Sequence, residues 1–267
     1  IPEHEKNVLQ SAECINGKIV AYYLESASDK MKVFEYGPNG SLAKEIKDIP
    51  LPDIGTVAGS FGKHDSNEFM FKFTSFTDPG SSWRVDMDTF ELERVASTNL
   101  GASCGDIADY ITDQVFYPSK DGTMVPMFVV RRKDVLPDLN ATPEKPLLAL
   151  LYGYGGFNIS ITPMFSPSKL VFMNNMKGLF CIANLRGGGE YGEEWHKAGT
   201  KDKKQNVFDD FIAAAEYLTE KKLTDNKSLI INGGSNGGTL TTACANQRPE
   251  LYAGMVSQVP VTDMLRF

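Results

Sequence analysis

The pentapeptide Gly233-Gly-Ser-Asn-Gly237 limits the possible folds more than any other feature of this chain. It follows the apolar run Leu229-Ile-Ile231 and opens a segment with Leu240, Ala243 and Cys244 at helical spacing. G-x-S-x-G between a strand and a helix is the context that lifts a serine onto a sharp, strained turn, with its hydroxyl clear of the sheet. Glycine is needed on both sides because a Cβ there would collide with neighbouring backbone. A helix starting at Asn236 points unpaired N–H groups and its positive dipole end toward a developing oxyanion. The competing reading is a phosphate loop, but no Lys-Ser/Thr pair follows as in a Walker loop. Ser235 is therefore read as a nucleophile.

The surroundings read as α/β. Leu147–Tyr152, Gly178–Ala183, Lys227–Ile231 and Ala253–Val259 are apolar runs suited to strands buried on both faces. A helix is expected from about Asn206 to Lys221, where Val207, Phe208, Phe211, Ile212, Ala215 and Leu218 form one stripe. Ahead of these, Val115–Tyr117 and Val125–Val130 flank Ser119-Lys-Asp-Gly-Thr123, a hairpin with Asp-Gly at its tip. Alternating strands and helices imply a mostly parallel sheet. Leu151-Tyr-Gly-Tyr-Gly-Gly-Phe157 follows the first buried strand, where an α/β-hydrolase places an oxyanion donor. A Tyr O–H could serve there; equally, Tyr152 and Tyr154 could be packing residues beside a turn.

Residues 1–106 read differently, as all-β. Runs at Lys18–Leu24, Met31–Tyr36, Glu68–Phe73 and Trp83–Met87 are separated by Gly37-Pro-Asn-Gly40 and Asp78-Pro-Gly80. The order strand, turn, strand, short strand occurs twice at an offset of roughly 50 residues, within the range of propeller blades. A small β-meander or sandwich is the alternative. The expected division is thus 1–106 and 107–267.

Composition excludes several function classes. With 42% hydrophobic and 23% charged residues, the chain is globular rather than disordered. A net charge of -7 argues against a nucleic-acid binder, and Lys201-Asp-Lys-Lys204 reads as a solvated loop. No apolar stretch is long enough for a membrane span. Cys14, Cys104, Cys181 and Cys244 are too scattered for a metal site, so neither metal nor cofactor is expected, and a reducing, cytoplasmic setting is. The chain opens on Ile1 rather than Met and stops at Arg266-Phe267 just after an expected strand and turn, so a fragment of a longer protein is expected.

Together, Tyr152-Gly-Tyr-Gly-Gly-Phe-Asn-Ile-Ser-Ile161, Asn184-Leu-Arg-Gly-Gly-Gly-Glu-Tyr-Gly192 and Ile231-Asn-Gly-Gly-Ser-Asn-Gly-Gly238 resemble the prolyl oligopeptidase family of serine peptidases. The likeness continues through Ala243-Cys-Ala-Asn-Gln-Arg-Pro249 and reaches back to Phe116–Thr123 and Ile1–Lys6. The resemblance implies an α/β-hydrolase domain behind a β-propeller, with residues 1–106 as the propeller's last blades and 107–267 as the first part of the hydrolase domain. It implies Ser235 as nucleophile, with the Asn236 N–H and the Tyr154 hydroxyl as oxyanion donors. Phe157 and Val261 would line a pocket for the substrate proline. Pro260 stands where the family usually has glycine, which would shift the pocket wall.

The base is missing. No histidine follows Ser235, although the fold places the acid and then the histidine after the serine. His196 is read as structural or surface, and His64 as solvated. Asp209 and Asp210 are read as capping or surface carboxylates, and Arg186 is expected to pair with Glu190 across a close-packed turn supporting the nucleophile loop. The expected activity is cleavage of short proline-containing peptides, by a monomeric parent protein through an acyl-enzyme on Ser235, with this chain inactive alone. The alternatives are a truncated, non-catalytic peptide- or partner-binding module, and an esterase or acylaminoacyl peptidase on the same fold.

Overall fold

Phe69, Phe71 and Phe73 alternate with Glu68, Met70 and Lys72, and a strand must send the two sets to opposite faces. In the computed structural model the three phenylalanines are buried. The structure describes residue 4 and residues 7–37, 41, 44–100 and 106–266. Two compact units emerge: Ile1–Ser103 with Thr162–Ser166, and Cys104–Ile161 with Pro167–Phe267.

The first unit holds two antiparallel four-stranded meanders. One comprises β1 (Val8–Ile15), β2 (Lys18–Glu25), β3 (Ser28–Glu35) and β4 (Lys44–Ile49); the other β5 (Thr56–Gly62), β6 (Glu68–Thr74), β7 (Ser81–Asp86) and β8 (Leu92–Ser97). Each repeat therefore has four strands, where the sequence pattern shows three. The four runs named from sequence are the inner strands β2, β3, β6 and β7; the outer strands pattern weakly because they bury little, and β8 buries none of its residues fully. Ile15, Val20, Tyr22, Met31 and Val33 of the first meander share one core with Phe69, Phe71, Phe73 and Val85 of the second. The Asp29 carboxylate, itself buried, accepts from Val57 N at 2.7 Å and ties the two meanders together. The expected turn at 37–40 and Cys104 fall largely or wholly outside the described residues.

The second unit is built on one six-stranded sheet. Its strands are β9 (Tyr110–Pro118), β10 (Met124–Arg132), β11 (Ala149–Gly153), β12 (Leu179–Ala183), β13 (Leu229–Gly234) and β14 (Gly254–Gln258), in spatial order β14-β13-β11-β12-β10-β9. β9 and β10 form the expected hairpin, β10 runs antiparallel to β12, and β11 to β14 are parallel. Two helices, α3 (Gln205–Glu220) and α4 (Asn236–Gln247), fall where the apolar stripes put them. Two others, α1 (Pro167–Met176) and α2 (Glu193–Lys197), have no counterpart in the sequence pattern, since α1 buries only Leu170 and Met173 and α2 buries nothing.

Topology fixes where chemistry can occur. The chain leaves β11 for β12 on one side, then crosses to β13 on the other. The crevice beyond the carboxyl ends of β11 and β13 is thus a switch point, where ligands bind in open α/β sheets. Tyr152 is paired with Asn232 in register, so the residues that follow each strand emerge side by side.

Candidate active site

Ser235 sits at the tip of β13 with φ 55° and ψ −117°, and it is exposed. A non-glycine residue in that region stores about 1–3 kcal/mol, which the surroundings must impose. The turn is held by Ser235 N–H donating to Gln258 O at 2.8 Å, and by Gly238 N–H and Thr239 N–H donating back to Ser235 O at 2.9 and 3.2 Å. A Cβ at Gly233 would lie 2.1 Å from Gly237 O, and one at Gly237 would lie 2.5 Å from Gly153 O. Both motif glycines therefore answer to close backbone approach, and α4 is seated directly against the end of β11. Asn236 and Gly237 open α4, and the first N–H groups of a helix have no partner within it.

The loop after β11 lies beside this elbow. Asn236 Nδ2 donates to Tyr154 O at 2.5 Å, and Lys204 Nζ donates both to Gly155 O at 2.9 Å and to Asn236 Oδ1 at 3.2 Å. Tyr154 and Asn236, named from sequence, are thereby joined. Phe157 is 73% exposed at φ 56°, an apolar surface available to a ligand. Val261 follows β14 and is tied to α4 through Thr239 Oγ1, which donates to Val261 O at 2.7 Å. Pro260 covers Gly238, where a Cβ would lie 2.9 Å from the proline Cβ.

Three readings of the charged residues need correction. Asp210 is no surface or capping group: it is fully buried and binds Arg186 at 2.6 Å. Arg186 accordingly pairs with Asp210 and with Asp121, at 2.5 Å, and not with Glu190. The Asp121 carboxyl is held down at about 2, chiefly by its hydrogen bond from Arg186. Lys204 is no solvated loop residue, because its ammonium turns inward, and burial lowers its pKa. The glycine turn after Arg186 rests on the β11 loop, since a Cβ at Gly187 would lie 2.8 Å from Gly155 O. His196 is structural: its Nδ1 lies 2.8 Å from Gly187 O and 3.1 Å from Asn158 N, fixing the loop that carries Phe157. His64 is exposed.

Among the described residues no group of three or more His, Cys, Asp or Glu could hold a metal ion, and no helix is long and apolar enough to cross a membrane.

Two family profiles match the chain: "Prolyl oligopeptidase, N-terminal beta-propeller domain" over residues 1–98 and "Prolyl oligopeptidase family" over residues 163–267. A prolyl oligopeptidase of Omphalotus olearius is 42% identical over 253 residues, covering 94% of this chain and 32% of the relative. A prolyl endopeptidase of Dictyostelium discoideum is 39% identical over 268 residues, covering 100% of this chain and 34% of the relative. The chain thus spans about a third of the length of the curated relatives it matches. Among solved structures, prolyl oligopeptidase B of Galerina marginata, bound to a 25mer macrocyclization substrate, superposes with a TM-score of 0.87 at 33% identity, covering all of this chain and 36% of that one. A structure from a study of two prolyl endopeptidases gives 0.85 at 42% identity, covering all of this chain and 37% of that one. The two meanders are propeller blades, the six-stranded sheet is α/β-hydrolase-like, and the chain belongs to the prolyl oligopeptidase family.

Proposed function

We propose that the protein carrying this sequence is a serine peptidase that cleaves short peptides after proline. The observation that carries this reading is the exposed, strained Ser235 at φ 55°, set beside the β11 loop at the carboxyl edge of the sheet. In the reaction, Ser235 Oγ attacks the carbonyl carbon of the proline residue. The carbonyl oxygen gains the negative charge and is met by the Asn236 N–H and the Tyr154 O–H. Collapse of the tetrahedral intermediate breaks the C–N bond, releases the amine and leaves the acyl-enzyme. Water then attacks that ester and frees the acid. Phe157 and Val261 line the proline pocket, since a ring without an N–H suits an apolar, aromatic wall.

A serine hydroxyl needs a base to take its proton. No histidine follows Ser235 in these 267 residues, and His196 is committed to its turn. The base and its carboxylate partner are therefore proposed to lie outside this sequence, as the greater length of the relatives allows. Residues 1–106 would be the last propeller blades and 107–267 the first part of the peptidase domain. A reducing, cytoplasmic compartment is consistent with the free Cys14, Cys181 and Cys244.

The test uses the full-length protein, a proline anilide and a fluorophosphonate probe. Wild type should turn over the anilide and be labelled at Ser235, and Ser235→Ala should lose both. Turnover persisting in Ser235→Ala would remove the mechanism.

A further inference from the structure

Lys204 stands at the head of α3 with its ammonium between two loops. It donates to Gly155 O at 2.9 Å and to Asn236 Oδ1 at 3.2 Å, and lies 5.9 Å from the centre of the Phe208 ring. Asn236 passes the connection on, through Nδ2, to Tyr154 O at 2.5 Å. One cation and one amide thus bridge the β11 loop and the start of α4. The packing is close: a Cβ at Gly156 would lie 2.6 Å from Asn236 Nδ2, so the loop rests on the asparagine side chain.

The position is electrostatically poor for a lysine. It precedes the first turn of a helix of 16 residues, where positive charge is disfavoured. It is partly buried, and its polar partners are a carbonyl and an amide oxygen rather than a carboxylate. A methionine would fill similar space without that cost. What only the ammonium adds is direction. An ammonium donates and never accepts, whereas an asparagine amide can lie either way round. Facing Lys204, the amide must turn Oδ1 toward the lysine and Nδ2 toward Tyr154 O; flipped, donor would face donor and acceptor would face acceptor.

We infer that Lys204 is a positioning residue of the oxyanion hole. It locks the Asn236 amide and so sets the spacing between the Tyr154 segment and the N-terminus of α4. This rests on the reading of Tyr154 O–H and Asn236 N–H as the oxyanion donors. Because the spacing matters where charge develops, the effect falls on kcat and leaves KM alone.

The experiment is a kinetic cycle in the full-length protein with a proline anilide. Lys204→Met, Asn236→Ala and Tyr154→Phe are measured singly and in pairs, with a thermal melt of each. Lys204→Met is expected to lower kcat about 10- to 100-fold, the scale of a small misplacement of catalytic groups, with KM within about 2-fold. In the Tyr154→Phe background the same change should cost less than about 3-fold more, and Asn236→Ala should behave likewise, because the variants disable one device. If Lys204→Met does not fold, the pair of Asn236→Ala with Tyr154→Phe carries the test through the other half of the bridge. Effects that simply multiply, a change confined to KM, or undiminished kcat in Lys204→Met would overturn the proposal. A Tyr154→Phe variant with wild-type kcat would overturn the oxyanion reading itself, and this inference with it. A slow Tyr154→Phe with a multiplying Lys204→Met would overturn this inference alone.

Discussion

Glu190 is 1% exposed, and its carboxyl is pushed up to about 7, first by burial. Oε1 accepts from Ile161 N at 2.9 Å and Asn184 Nδ2 at 3.3 Å, while Oε2 has no partner. Ionising it strands a charge with half its oxygens unmet. The folded pKa lies above the unfolded one, so the unfolded chain releases this proton first as pH rises. Stability from this group is therefore complete below about 4.5 and is lost as pH climbs through about 7. At 1.36 kcal/mol per pH unit, the loss is about 1 kcal/mol at pH 5 and about 3 kcal/mol at pH 8. Glu190→Gln is neutral throughout and keeps Oε1 as acceptor. In urea titrations of the full-length protein, the gap between wild type and Glu190→Gln should shift by about 2 kcal/mol from pH 5 to pH 8, in favour of the glutamine. Subtracting the two curves cancels every other titrating group. A gap constant within about 0.5 kcal/mol would mean that Glu190 is ionised in the fold, and the expectation would fail.

Two further outcomes follow from the packing. Asp210→Ala leaves the buried Arg186 without its innermost partner, and should cost about 3–5 kcal/mol in denaturant titrations; a loss below about 1 kcal/mol would mean that Asp121 and Ser119 suffice. The 267-residue chain expressed alone should hydrolyse no proline anilide and should associate through β14, where Met255 and Val256 are each 43% exposed on an edge strand; a monomer by light scattering, or turnover, would contradict this.

Sequence period carries the fold a long way because the elements that bury most show it best. β12 is buried at every position and α3 buries a full stripe, and both are visible in the bare sequence. The glycines of the elbow are visible because their reason is local, a Cβ against backbone a few residues away. Where burial is thin, as in β1, β4, β5, β8 and α1, the alternation that marks an element fades and no bounded run is legible.

The polar part of the site is hidden for a different reason. Arg186 meets Asp210 across 24 residues and Asp121 across 65, and Asn236 meets Tyr154 across 82. No local pattern encodes such pairings; they exist only once β11, β13 and α3 converge on one crevice. Lys204 is the instructive exception. Its neighbours Lys201 and Lys203 are exposed, and a short basic run suggests that all its members are solvated alike. Yet Lys204, Val207, Phe208 and Phe211 follow the spacing i, i+3, i+4, i+7, which is the helical stripe that faces the core. Val207 and Phe211 are fully buried. Extending the stripe back by one turn puts the lysine on the inward face, at the end of the helix nearest the β11 loop. A charged residue at the head of a buried stripe must either snorkel outward or find buried acceptors, and here the Gly155 carbonyl and the Asn236 amide supply them.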